Sequence, residues 1–237
     1  MTSKPQITLW FLNASRAVRI AWMLQALNLP YELVRAERAS NGLAPPEFRQ
    51  KIPGSLRKSP TIQDGDLVLQ ESVAIIEYLC ETYDKEHVFL PTEAKERLKV
   101  KEWLSASEGT FLMHGIAIMY ARARLPQDLP NRAEVWKEMN QSMSGNIDNA
   151  LNWLNSELKK SHSNGGKYLV GGRLTAADIG MLFGLQLIYD RKLGLEHLEN
   201  SGNGKWPDIE KWMDYLQDEK SWKDCVAKTG FRMGATL

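Results

Sequence analysis

The sequence predicts two units in series, an α/β domain at the N-terminus and an all-α domain behind it. Three observations lead there. Residues 7–34 read as strand, helix, strand; a hairpin signal and an amphipathic helix occupy 57–83; and beyond Pro91 the apolar spacing becomes helical throughout. The expected division is 1–83 for the first domain, 84–91 for a charged linker ending in Leu90-Pro91, and 92–237 for the helical domain.

Ile7 to Leu12 reads as the first strand, and Arg16 to Asn28 as a helix apolar on nearly all sides, hence buried. Leu29-Pro30 breaks that helix and Tyr31 to Val34 supplies a second strand, which a helical crossover makes parallel to the first. Ile62 and Leu67 to Leu69 flank Gln63-Asp64-Gly65-Asp66, and Asp-Gly between apolar runs signals a tight hairpin because both residues tolerate positive φ. Ser72 is placed to cap a helix carrying Val73, Ile76, Leu79 and Tyr83, with Glu71 just outside its first turn. The free N–H groups at such a helix start attract anions.

In the second domain Thr92 is the expected cap of a long helix to about Leu125, Pro126 and Pro130 break it, and Arg132 to about Leu158 forms its partner. Asn164-Gly165-Gly166 is a turn. Thr175 and Asp178 then have the spacing of a capping box, with Asp in place of the usual Glu, and are read as structural. Pro207 to about Asp218 and Ser221 to about Lys228 are the last helices.

Composition narrows the function. The chain has 237 residues, 43% of them hydrophobic, enough for a sizeable core. Thirty Lys+Arg against 29 Asp+Glu leave +1, so no global field favours nucleic acid or an anionic membrane. The opening MTSKPQITLW lacks the apolar core of a signal peptide and no segment has the length of a membrane span, so a cytoplasmic protein is expected. Ala235-Thr236-Leu237 lacks the basic middle residue of a peroxisomal address. Cys80 and Cys225 sit far apart within helical patterns, as packing residues in a reducing compartment would. His87, His114, His162 and His197 show no paired ligand spacing, and no metal site is expected.

Ser59-Pro60, the hairpin, Glu71-Ser72 and a helix ending in Glu77-Tyr78-Leu79 together resemble the glutathione-binding half of the cytosolic glutathione transferases. The order β-α-β-β-α is the thioredoxin-like arrangement, and the wording FLNASRAVRIAWMLQALNLPYELV is similar to fungal and bacterial members whose first helix opens with Asn-x-Ser-Arg. The resemblance implies a cis Ser59-Pro60 bond, backbone pairing of Ser59 with the cysteine of glutathione, and a γ-glutamyl end held by Glu71 and Ser72. A cis bond there would turn a backbone N–H and C=O outward, where an extended peptide can pair as an added strand. Lys58 belongs to the implied set, but the approach Pro53-Gly54-Ser55-Leu56-Arg57-Lys58 is about two residues longer than the family's Pro-Leu-Gly-Lys, which leaves its role open. The resemblance also implies a homodimer and an electrophile site lined by the helical domain.

The resemblance to the thioredoxin-like fold, in which this turn faces the glutathione sulfur, implies that the chemistry sits where the first strand meets the first helix, at Leu12-Asn13-Ala14-Ser15-Arg16. No cysteine stands here, which disfavours glutaredoxin-like thiol exchange. The Ser15 hydroxyl, the Asn13 amide and the helix N–H groups instead suit another molecule's thiolate, and both side chains can equally cap the helix. Lowering a thiol from a reference pKa of about 8.5 by ~2 units needs about 2.7 kcal/mol. One hydrogen bond to a charged group gives about 1.5–3 kcal/mol and a helix N-terminus roughly 0.3–1, so two such donors suffice without a general base. Met113, Ile116, Met119, Tyr120, Phe231 and Met233 are the candidates for an apolar second site, with His114, Arg122 and Arg124 available to a polar substrate. The expected activity is glutathione transfer to a small apolar electrophile. A glutathione-dependent isomerase or biosynthetic enzyme, and a non-enzymatic assembly module, are the alternatives.

Overall fold

In the computed structural model, which describes residues 7–196 and 204–233, the first domain has the order β1 (Ile7–Leu12), α1 (Ala17–Ala26), β2 (Tyr31–Ala36), α2 (Pro46–Lys51), β3 (Thr61–Asp64), β4 (Leu67–Gln70) and α3 (Ser72–Tyr83). His197 and the C-terminal Ala235, Thr236 and Leu237 lie outside the described residues. The sheet order is β2-β1-β3-β4; β1 runs parallel to β2 and antiparallel to β3, and β3 pairs antiparallel with β4.

Successive side chains of a strand point to opposite faces, and central β1 is apolar on both. Ile7, Leu9 and Phe11 enter the main core, while Trp10 and Leu12 join a smaller cluster with Phe48 and Ile52. Phe48 comes from α2, a helix too short to leave a readable period in the sequence.

α1 is buried from Ala17 through Leu24 because it is shared between the domains. It packs on β1 and α3 from its own domain and on the helices α7 (Ala176–Asp190) and α9 (Lys220–Thr229) of the next. Trp22 Nε1 donates to Ser221 Oγ at 2.9 Å, and its ring meets Trp222 edge-on at 5.0 Å.

Several local expectations need correction. The hairpin loop is Gly65-Asp66, not Asp64-Gly65, and of the two only Gly65 takes positive φ, 57°. Asp64 stays in the strand, where its carboxylate accepts Tyr78 Oη at 2.8 Å and the Tyr83 hydroxyl. Ser72 is the first residue of α3 and not its cap; Glu71 holds the N-cap position at φ 69° without a side-chain cap bond. Glu93, rather than Thr92, caps α4 (Ala94–Ala106), accepting Glu96 N–H at 2.7 Å.

The long helix expected from Thr92 to about Leu125 is interrupted. A π-helical segment, Ser107–Leu112, joins α4 to α5 (Met113–Arg124). Such a segment accommodates an extra residue and re-aims the side chains around it. Here Ser107 Oγ donates to Leu104 O at 2.7 Å and Glu108 is turned toward α1.

α6 (Arg132–Ser163), α7, α8 (Pro207–Asp218) and α9 complete the helical domain. Gly180 of α7 permits close approach to α4, since a Cβ there would lie 2.6 Å from Leu104 Cδ2. The capping box of α7 is present and fully buried: Asp178 accepts Thr175 N–H at 2.9 Å, Leu169 N–H at 3.0 Å and Trp212 Nε1 at 2.9 Å. The segment 84–91 winds about Asp84, whose carboxylate accepts the N–H groups of Val88 (3.0 Å), Phe89 (2.7 Å) and Leu90 (3.3 Å).

Candidate active site

The chain leaves β1 at Leu12 and turns through Asn13, Ala14, Ser15 and Arg16 into α1. Ala14 has φ 52°, a left-handed conformation costly for a residue with a Cβ. Three bonds hold it there: Ala14 N–H donates to Asn13 Oδ1 at 2.9 Å, Arg38 Nη2 to Ala14 O at 2.8 Å, and Arg38 Nε to Asn13 O at 3.1 Å. Arg38 follows β2, so the parallel pairing of β1 with β2 brings it to this turn. Burial lowers the proton affinity of Arg38, and the nearby Tyr120 acts the other way.

Ser15 is buried. Its Oγ donates to Leu12 O at 2.7 Å and accepts Ala17 N–H at 3.1 Å. Val18 N–H pairs with Ser15 O at 3.3 Å and Arg19 N–H with Arg16 O at 3.1 Å. The N–H groups of Ser15 and Arg16 are then the donors of this turn without a partner among the described residues. The Asn13 amide is buried too, with Nδ2 donating to Glu37 and to Gly230 O, and Oδ1 accepting Ala14 and Arg232 N–H.

The Ser59-Pro60 bond is cis. Ser59 Oγ accepts Leu12 N–H at 2.9 Å and donates to Trp10 O at 2.8 Å, fastening the entry of β3 against the end of β1. Lys58 is exposed and contributes its carbonyl, which accepts Thr61 Oγ1 at 2.6 Å.

Glu71 is exposed at φ 69° and ψ 114°, and Ser72 behind it is buried. Ser72 Oγ accepts Arg19 Nη1 at 3.2 Å and donates to Glu108 Oε1 at 3.3 Å. Arg16 Nε reaches Glu108 Oε2 at 2.9 Å, and Arg19 Nη1 bonds the same carboxylate. Burial lowers the Arg19 guanidinium to about 10, with Glu108 opposing, so it stays charged near neutrality. For Glu108 burial alone would raise the carboxyl, but Arg19 and Arg16 outweigh it and hold it below the usual range.

Sequence reasoning brought Asn13, Ser15, Ser59, Pro60, Glu71 and Ser72 forward, and the fold gathers them at the ends of β1 and β3 and the start of α3. It missed Arg38, Arg19 and Glu108. A signal for Arg19 existed, because an arginine inside an otherwise apolar helix demands a carboxylate partner.

Among the second-site candidates, Met113 and Tyr120 are exposed on α5, whereas Ile116 and Met119 pack on the core. Phe231 is buried against Phe183 and Trp222, and Met233 is partly buried against the core. Arg122 pairs with Glu196 at 3.1 Å and Arg124 lies over the Tyr120 ring at 5.5 Å. Cys80 and Cys225 are buried, and burial pushes both thiols up, Cys225 to about 12. No helix among the described residues is long and apolar enough to cross a membrane.

Residues 11–87 match the N-terminal domain of glutathione S-transferases and residues 112–217 their C-terminal domain. Glutathione S-transferase 1 of Saccharomyces cerevisiae is 31% identical over 232 residues, covering 93% of this chain and 94% of its own. A probable maleylacetoacetate isomerase of Vibrio cholerae is 30% identical over 172 residues, 72% of this chain and 74% of its own. Among solved structures, a glutathione S-transferase from Actinobacillus pleuropneumoniae superposes with a TM-score of 0.76 at 28% identity, covering 96% of this chain and 94% of that one.

Proposed function

Because this chain belongs to the glutathione S-transferase family and is an enzyme of that class, we propose that its β1–α1 turn holds the thiol of bound glutathione as a thiolate and presents it to a small apolar electrophile. The observation that carries this reading is the pair of N–H groups, of Ser15 and Arg16, without a partner among the described residues, beside a Ser15 hydroxyl that can rotate from Leu12 O toward a sulfur. Two charge-assisted donors meet the roughly 2.7 kcal/mol that ionisation near neutral pH needs. Ser59 offers its backbone to the cysteinyl residue of glutathione, Glu71 and Ser72 hold the γ-glutamyl end, and Lys58, exposed beside them, is available to the glycyl carboxylate. Ser15 is the side chain of the turn that we assign to the sulfur, and Asn13 stands beside it in the same turn.

Glu71→Gln combined with Ser72→Ala tests the assignment. Calorimetry should show glutathione affinity reduced at least tenfold, about 1.4 kcal/mol, while thermal unfolding confirms an intact helical domain. Unchanged affinity in a folded double variant removes the peptide site from this place.

The Vibrio cholerae relative supports a second reading, in which the thiolate adds reversibly and glutathione is regenerated. A stable thioether product supports transfer; glutathione turning over catalytically supports isomerisation. The working division is 1–83 for the glutathione domain, 84–91 for a linker wound on Asp84, and 92–237 for the domain lining the electrophile site. Two buried unpaired cysteines suit a reducing compartment, the cytoplasm. A homodimer, first domain against the partner's helical domain, is the proposed assembly, and a monomer at all accessible concentrations in sedimentation would sink it.

A further inference from the structure

We propose that Asn13 is a positioning residue whose amide fastens the C-terminal tail to the thiolate turn, rather than a donor to the sulfur. The inference rests on the reading of that turn given above.

An asparagine amide has two N–H donors and one oxygen with two lone pairs. At Asn13 every one of them is matched within the protein. Nδ2 donates to Glu37 Oε2 at 3.1 Å and to Gly230 O at 3.1 Å; Oδ1 accepts Ala14 N–H at 2.9 Å and Arg232 N–H at 3.1 Å. The network also fixes which way the amide faces, since the flipped form would set its N–H groups against two backbone N–H donors and its oxygen against a carboxylate and a carbonyl. The residue is 2% exposed, so a sulfur could be served only by breaking one of these bonds.

The tail is built to meet it. Gly230 ends α9 at φ 61°, where a Cβ would stand 2.9 Å from Arg35 Nη1, and the next N–H, of Phe231, turns back onto Thr229 Oγ1 at 3.2 Å. Phe231 then anchors on Phe183 and Trp222. Glu37 closes the clasp from outside, accepting from Asn13, from Arg35, and from Arg232 Nη2 at 3.2 Å. Through Oδ1 the same amide holds Ala14 in its left-handed conformation, directly before the N–H groups of Ser15 and Arg16. Loosening the tail therefore lets the amide rotate and the two donors spread.

The experiment is a double-variant cycle in the full-length chain. Arg232→Pro deletes the tail N–H that bonds Asn13, Arg232→Ala controls for loss of the ion pair with Glu37, and Asn13→Ala removes the receptor. Two readouts are taken: amide hydrogen exchange of residues 230–233 in the free protein, and a thiolate absorbance titration with glutathione bound. Exchange of the Arg232 amide should quicken about tenfold or more in Asn13→Ala. Asn13→Ala and Arg232→Pro should each raise the apparent pKa of the bound thiol by about half a unit, and the double variant by no more than either alone. An effect of Asn13→Ala undiminished in the Arg232→Pro background would overturn the proposal and make Asn13 a donor to the sulfur. Unchanged tail exchange in Asn13→Ala would overturn it as well. If Asn13→Ala does not fold, Glu37→Gln carries the test, because it keeps the amide and must still quicken Arg232 exchange. Failure of the unsubstituted chain to bind glutathione would refute the reading of the turn, while hydrogen exchange still decides the clasp.

Discussion

Arg19, wholly buried on α1, donates from Nη1 to the carboxylate of Glu108 on the π-helical segment, an ion pair that ties the first domain to the second. Breaking a buried pair from one side leaves an uncompensated charge, at about 3–5 kcal/mol, whereas replacing both partners by packed apolar groups is often close to neutral. Glu108 reaches solvent on one side, so Glu108→Ala is expected near the lower end, about 3 kcal/mol, although Arg16 is then left as an unneutralised like charge beside Arg19. Urea unfolding should show Arg19→Met with Glu108→Leu less destabilised than Glu108→Ala alone. If the double variant is the weaker, the pair itself is a net source of stability.

The same carboxylate predicts an acid limb. Its folded-state proton affinity is held below the ordinary value by Arg19 and Arg16 against the opposing effect of burial. Stability from a depressed carboxyl is fully present above the unfolded value, about 4.3, and is lost as pH falls through the folded one. Unfolding free energy measured from neutral pH downward should fall in that window, and Glu108→Gln should flatten the fall. Parallel curves for the two proteins would assign the acid limb to other carboxylates.

Asp178 behaves in the opposite sense. Burial raises its carboxyl, although the N–H groups of Leu169 and Thr175 and Trp212 Nε1 favour the ion. Folding thus favours the proton, and the associated stability falls as pH rises from the unfolded value toward the folded one. Asp178→Ala leaves these buried donors without an acceptor and should cost about 3 kcal/mol or more. Asp178→Asn retains one accepting oxygen and should lose less. Thermal melts of both variants decide it, and equal losses would show that shape rather than acceptor count matters here.

What the sequence made legible follows local physics. β1 was readable because an apolar run buried on both faces is hard to mistake, and Pro207 fixed the start of α8. The Thr175–Asp178 spacing is a four-residue pattern and needs nothing distant. Arg38, Glu108 and Gly230 were not readable, because their meaning depends on partners that only the tertiary fold supplies: Asn13 and Ala14 for Arg38, Arg19 for Glu108, Asn13 for Gly230. The π segment has the same origin. Glu108 and Ser107 lie in a sequence that is helical by pattern, and its widened turn answers a buried cation on another domain.

The turn itself gives the last prediction. Ser15 Oγ lies between Leu12 O and Ala17 N–H, so its hydroxyl can exchange the carbonyl for a sulfur at the cost of one neutral hydrogen bond. A thiolate acceptor makes the new bond charge-assisted and the stronger of the two. Ser15→Ala should therefore raise the pKa of bound glutathione by about one to two units, with a matching loss of kcat/KM at neutral pH. The loss should shrink as pH rises and the thiol ionises unaided. Asn13→Ala should do much less, because its amide is occupied by the tail and Glu37. Thiolate absorbance titration and pH-dependent rates of both variants provide the check. A pKa shift carried by Asn13→Ala and absent from Ser15→Ala would exchange the roles and leave Ser15 as the cap of α1.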